Sequence, residues 1–124
     1  MSREKTVLII EDDPLLRLTL TAYMEDSGYT VLEAADGLEG LEIFTRESPD
    51  IVLTDLRMPK LDGLEVITTI KTQSPATPVI AFTGTGDPLA ANNALHHGAC
   101  ECLLKPIEDM SLLEAAVVKA LEQT

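Results

Sequence analysis

Three short runs in this chain are apolar at every position: Val7-Leu8-Ile9-Ile10, Ile51-Val52-Leu53 and Val79-Ile80-Ala81-Phe82. A strand with one face in water alternates apolar and polar residues. An unbroken apolar run reads instead as a strand covered on both faces, the pattern of a parallel sheet sandwiched between helices.

The segments between these runs complete the pattern. Strands are expected over Thr6–Ile10, Tyr29–Ala34, Asp50–Thr54, Val79–Thr83 and about Cys100–Leu104. The first helix starts at Pro14 with Asp13 as its N-cap, and Ser27-Gly28 stops it. Leu15, Leu16, Leu18 and Ala22 are its expected apolar stripe. Asp36-Gly37 opens a second helix with Leu38, Leu41, Ile43 and Phe44 inward, ended by Ser48-Pro49. A loop from Asp55 to Gly63 leads into a third helix, about Leu64 to Gln73, with Val66, Ile67 and Ile70 inward. The flexible-looking stretch Gly84-Thr85-Gly86-Asp87-Pro88 precedes a fourth helix at Leu89–His97, closed by Gly98. Ser111 and Glu114 suggest a capping box for the last helix, roughly Leu112–Gln123.

Five alternating βα units imply a doubly wound α/β fold with right-handed crossovers. The flavodoxin-like (βα)5 sandwich, a five-stranded parallel sheet of order 2-1-3-4-5, suits this count, and residues 1–124 read as one domain. That order seats the first strand beside the third. A half-Rossmann nucleotide binder would need G-x-G-x-x-G after the first strand, where this chain has E-D-D-P-L-L.

Ligands of such sheets bind at the carboxyl ends of the strands. Four of the five strands end there on a reactive polar residue: Glu11-Asp12-Asp13, Asp55, Thr83 and Lys105. Converging carboxylates repel: two unit charges about 4 Å apart cost about 4 kcal/mol at an effective dielectric near 20. A hydrogen bond returns only about 1 kcal/mol. Either a pKa rises or a cation sits there. Hard carboxylates with a backbone carbonyl suit Mg²⁺, which keeps several waters. Asp55 beside a hydroxyl and an ammonium can attack a phosphoryl group and form an acyl phosphate. Lys105 would offset the charge on the phosphoryl oxygens and Thr83 would hydrogen-bond one of them. Asp13 is expected to serve as a helix cap.

The formal net charge of −12 disfavours nonspecific contact with nucleic acid or anionic membrane. No run approaches transmembrane length, and Met1–Lys5 lacks a signal-peptide core. Cys100 and Cys102 lie two apart on one strand, so a structural disulfide is not expected, which fits a reducing cytoplasm. His96 and His97 with these cysteines superficially suggest zinc, but the pairs straddle a helix end and a strand.

The motifs V-L-I-I-E-D-D, L-T-D-L-R-M-P-K-L-D-G, A-F-T-G and G-A-C-E-C-L-L-K-P occur in this order at the first, third, fourth and fifth strands. Over essentially its full length the chain resembles a response-regulator receiver domain of two-component signal transduction. The resemblance implies that Asp55 is the phosphoacceptor and that Glu11 and Asp12 are the acidic pair. Asp12 would bind Mg²⁺ directly, Glu11 directly or through water, with Asp55 and the backbone carbonyl of Arg57 as further ligands. Thr83 would be the switch hydroxyl, Lys105 the phosphoryl partner, and the Lys105–Pro106 bond cis. A histidine kinase or histidine phosphotransfer protein would be the donor. An output domain or effector protein would read the switch, with dimerisation through the last two helices left open. Such a domain is no turnover enzyme, though it assists its own phosphorylation and dephosphorylation. Cys102 departs from the aromatic residue usual in the family, so a phosphate-independent adaptor is the competing reading, and a small Mg²⁺-dependent phosphatase a third. Arg57 borders the pocket mouth, where it would tune the access of water to the acyl phosphate.

Overall fold

The computed structural model describes residues 4–58, 60–84 and 88–123. The apolar runs form the middle of a sheet. Strands β1 (Thr6–Ile10), β2 (Thr30–Ala34), β3 (Ile51–Asp55), β4 (Val79–Thr83) and β5 (Glu101–Leu104) pair in parallel in the order β2-β1-β3-β4-β5. The central strands β3 and β4 are buried at every residue, whereas the edge strands carry polar residues and are only partly covered.

Alternation along each strand splits the core in two. Val7, Ile9, Leu53, Ile80 and Phe82 face one layer of helices, α1 (Pro14–Asp26) and α5 (Met110–Glu122), and meet Leu20, Met24, Leu113 and Val117. Leu8, Ile10, Val52 and Ala81 face the other layer, α2 (Gly37–Glu47), α3 (Gly63–Gln73) and α4 (Pro88–His97), and meet Phe44, Val66, Ile67, Ile70 and Ala94. This is the flavodoxin-like order expected from the sequence.

The helix faces are less regular than the sequence suggested. The buried face of α1 is Leu20, Thr21 and Met24 with Leu16 half-buried, while Leu15 and Leu18 are 72% and 62% exposed and Ala22 is also exposed. In α2, Leu38 is exposed, Leu41 and Ile43 are half-buried, and the close contact is made by Gly37, Gly40 and Phe44. The last helix starts earlier than the proposed Ser111–Glu114 box. Its N-cap is Asp109, whose Oδ1 accepts from the Ser111 amide at 3.0 Å and the Ser111 hydroxyl at 2.6 Å. Residues 85–87 of the stretch before α4, and Pro59, lie outside the described residues.

Candidate functional site

The parallel order brings the ends of β1 and β3 side by side, with Ile10 in register with Thr54. The next residue on each strand is a carboxylate. Glu11 prolongs the β1–β2 ladder by donating its amide to the Ala34 carbonyl at 3.0 Å, and its side chain is fully buried. Asp55 is the last residue of β3 and 6% exposed. Asp12 is exposed at the mouth. One oxygen from each of Glu11, Asp12 and Asp55 lies within 4.8 Å of the others, and no other described His, Cys, Asp or Glu residues form such a cluster.

Lys105, just past β5, closes the site. Its ammonium donates to Asp55 Oδ2 at 3.0 Å and to Glu11 Oε1 at 3.2 Å. Its backbone amide donates to the Thr83 carbonyl at 2.7 Å, so the ends of β4 and β5 are tied together. Thr83 itself is 4% exposed. The Arg57 amide points to Asp55 Oδ1 at 3.4 Å, and the Lys105–Pro106 peptide is cis as expected. Asp13 takes the capping role expected of it, with Oδ1 accepting from the Leu15 amide at 3.0 Å.

Burial pushes the Glu11 carboxyl up to about 7; the Asp13 amide pulls it down, the charge of Asp55 raises it, and Lys105 lowers it. Burial works against the Lys105 ammonium, but its hydrogen bond to Asp55 and the charges of Asp55 and Glu11 outweigh this and hold its pKa above the usual value. The single ammonium therefore only partly offsets the cost of burying the Glu11 carboxylate, whose pKa stays above the usual carboxylate range. A small divalent cation removes that frustration. Metal–oxygen bonds of about 2.1 Å put octahedral ligands about 3 to 4 Å apart, close to the observed span. The donor set is all hard oxygen, part buried and part open to water, and fits such an ion.

Three supports were not legible in the sequence. Arg17 of α1 donates from Nη1 to the Glu11 carbonyl at 2.6 Å. Gly63 presses on the site from below: a methyl group there would overlap the Asp55 carbonyl oxygen and the Leu56 Cα. Lys60 pairs with Asp36 at 3.4 Å, joining the loop after β3 to the start of α2. Of these only Gly63 left a trace, as the end of the loop that runs from Asp55 into the third helix.

The cysteines and histidines are placed otherwise. Burial raises the pKa of both the Cys100 and Cys102 thiols, and His97 Nδ1 lies 2.7 Å from the Asn93 carbonyl. Cys102 packs partly buried on the α2–α4 side of the sheet, opposite Phe82.

A profile of the response regulator receiver domain matches residues 7–117. The chain belongs to the response regulator receiver domain family. This receiver domain is 32% identical over 117 residues to the Regulator of RpoS of Escherichia coli strain K12, covering 94% of this chain and 35% of that protein. It is 37% identical over 118 residues to the transcriptional regulatory protein GlrR of the same strain, covering 95% of this chain and 26% of GlrR. The receiver domain thus spans about a quarter to a third of the length of these curated relatives. Among solved structures, a response regulator receiver domain protein from Clostridium thermocellum superposes with a TM-score of 0.90 at 36% identity, covering 96% of this chain and 95% of that one. No helix among the described residues is long and apolar enough to cross a membrane.

Proposed function

We propose that residues 1–124 act as one phosphorylation switch in which Asp55 takes a phosphoryl group from a phosphohistidine donor. One observation carries the reading: three strand-end carboxylates share a 4.8 Å cluster, with the Lys105 ammonium 3.0 Å from Asp55. The Asp55 carboxylate oxygen forms the new bond to phosphorus while the P–N bond to the donor histidine breaks, and the imidazole nitrogen leaves with the electron pair. Asp55 suits this role because its carboxylate, at the end of β3, is held between the Lys105 ammonium and the Arg57 amide.

Mg²⁺, held by Glu11, Asp12, Asp55 and the Arg57 carbonyl, would supply the positive charge that the phosphoryl oxygens need. Lys105 stabilises the same oxygens from the β5 side, exchanging its carboxylate partners for phosphate. Thr83 then offers its hydroxyl to a phosphoryl oxygen, and this new contact shifts population toward an active conformation. Arg57 at the rim sets how readily water reaches the acyl phosphate. The family points to a histidine kinase or a histidine phosphotransfer protein as donor, to a cytoplasmic setting, and to an output domain or effector as reader. The relatives' additional length is consistent with such outputs.

The test is intact-mass measurement after incubation with acetyl phosphate and Mg²⁺. A phosphate-sized gain in the wild type that is absent in Asp55→Asn supports the switch. A gain that survives in Asp55→Asn assigns the phosphate elsewhere, and no gain in either chain leaves a phosphate-independent adaptor as the better account.

A further inference from the structure

The turn after β1 carries two of the three clustered carboxylates, and a side chain outside the cluster holds it in place. Arg17 lies one helical turn beyond Asp13. Its Nη1 donates to the Glu11 carbonyl at 2.6 Å, and its Nε pairs with Glu33 Oε1 on β2 at 3.2 Å. The Arg17 side chain is only 20% exposed and its contact with the Glu11 carbonyl is part-buried, whereas the Glu33 contact faces solvent. Glu11 is thereby fixed on both sides of its backbone: the amide by the Ala34 carbonyl, the carbonyl by the guanidinium.

The peptide group is planar, so a fixed Glu11 carbonyl also fixes the Asp12 amide and the position of the Asp12 Cα from which its side chain departs. The Glu11 side chain departs from the same anchored segment, with its Oε2 taking the Asp13 amide at 3.1 Å. We infer that Arg17 is a positioning residue for the cation site, orienting the Glu11–Asp12 peptide so that both carboxylates converge on Asp55, with Glu33 holding the guanidinium. This inference rests on the metal-binding part of the proposed function.

The sign of one measurement separates positioning from simple charge. Arg17 is a cation near an acidic cluster, so by charge alone its removal tightens the binding of a divalent ion. Loss of positioning weakens it. Groups that orient metal ligands typically contribute about 10- to 100-fold in affinity.

The experiment is an Mg²⁺ titration of the isotope-labelled full chain, followed by backbone amide resonances, for the wild type, Arg17→Met and Val117→Ala. Val117 of α5 is buried in the core of the layer that α5 shares with α1, makes none of the Arg17 contacts, and serves as a control for lost stability. We expect the Mg²⁺ Kd of Arg17→Met to rise at least tenfold, with displaced Glu11, Asp12 and Asp13 resonances in the metal-free state. Val117→Ala should keep its Kd within twofold. Arg17→Lys, which keeps the charge but lacks the planar fork that reaches both the Glu11 carbonyl and Glu33, should raise the Kd about threefold and stands in if Arg17→Met does not fold. An unchanged or lower Kd in the folded variant overturns the inference, as does an equal loss in Val117→Ala. Wild-type resonances that ignore Mg²⁺ refute the metal reading itself, and the inference falls with it.

Discussion

Glu11 makes the metal-free protein lose stability as pH rises through neutrality. Its carboxyl titrates near 7 in the folded chain, against an ordinary value of 4.5. The folded state therefore binds this proton more tightly than the unfolded chain does. The contribution is fully present below pH 4.5 and is lost progressively up to about pH 7. A span of about 2.5 pH units at about 1.4 kcal/mol each gives about 3 kcal/mol as the upper limit of the loss. Other shifted groups stay out of this window. Asp36 and Asp109 are held below 3.8, so their stabilisation is complete above that value, and Lys105 is held above 10.5. Glu11→Gln removes the ionisation while keeping the shape. The expected result in EDTA is a wild-type stability that falls between pH 5 and 8. The variant should have a flatter profile and be the more stable protein at pH 8 by about 1 to 3 kcal/mol, the lower figure allowing for the lost Lys105 contact. Urea unfolding followed by circular dichroism at four pH values measures this. Saturating Mg²⁺ should restore the wild type at pH 8 and leave Glu11→Gln nearly unmoved. A wild-type stability that is flat or rising between pH 5 and 7 would refute the reasoning, because burial would then not be governing this carboxyl.

Gly63→Ala should lower stability by about 1 to 3 kcal/mol and slow phosphorylation by acetyl phosphate, since the added methyl group drives against the Asp55 backbone. Gly28→Ala is its control: that site has φ +99° but open space around it, so it should cost about 1 kcal/mol and leave the phosphorylation rate unchanged. Asp109→Ala should cost about 1 kcal/mol through loss of the α5 cap, and Ser111→Ala less; the reverse order in urea unfolding would restore Ser111 as the capping residue.

The sheet could be read from the sequence because double-sided burial leaves no freedom of pattern: Val7 to Ile10 and Val79 to Phe82 can only be central strands. Once the strands are ordered, Glu11, Asp12, Asp55 and Lys105 follow as neighbours, since the edge on which strands end is shared. Helix α1 was harder. Leu15, Leu16, Leu18, Leu20, Tyr23 and Met24 surround it with apolar side chains, so periodicity alone could not choose the stripe that faces β1. The α5 cap was ambiguous because Asp109 and Ser111 are both good caps two residues apart, and the aspartate binds the serine. Gly63 and Arg17 act through contacts with backbone atoms six to eight residues earlier, and a side-chain pattern carries no record of where a carbonyl ends up.

The 2.7 Å bond between the Lys105 amide and the Thr83 carbonyl has a mechanical consequence. The ammonium of the same lysine grips Asp55, so aspartate, lysine and threonine are joined in series by two short hydrogen bonds. Lys105 is the member through which the other two communicate. Two neighbouring strand tips should therefore register a chemical event at the aspartate together, as a coupled displacement rather than two separate responses.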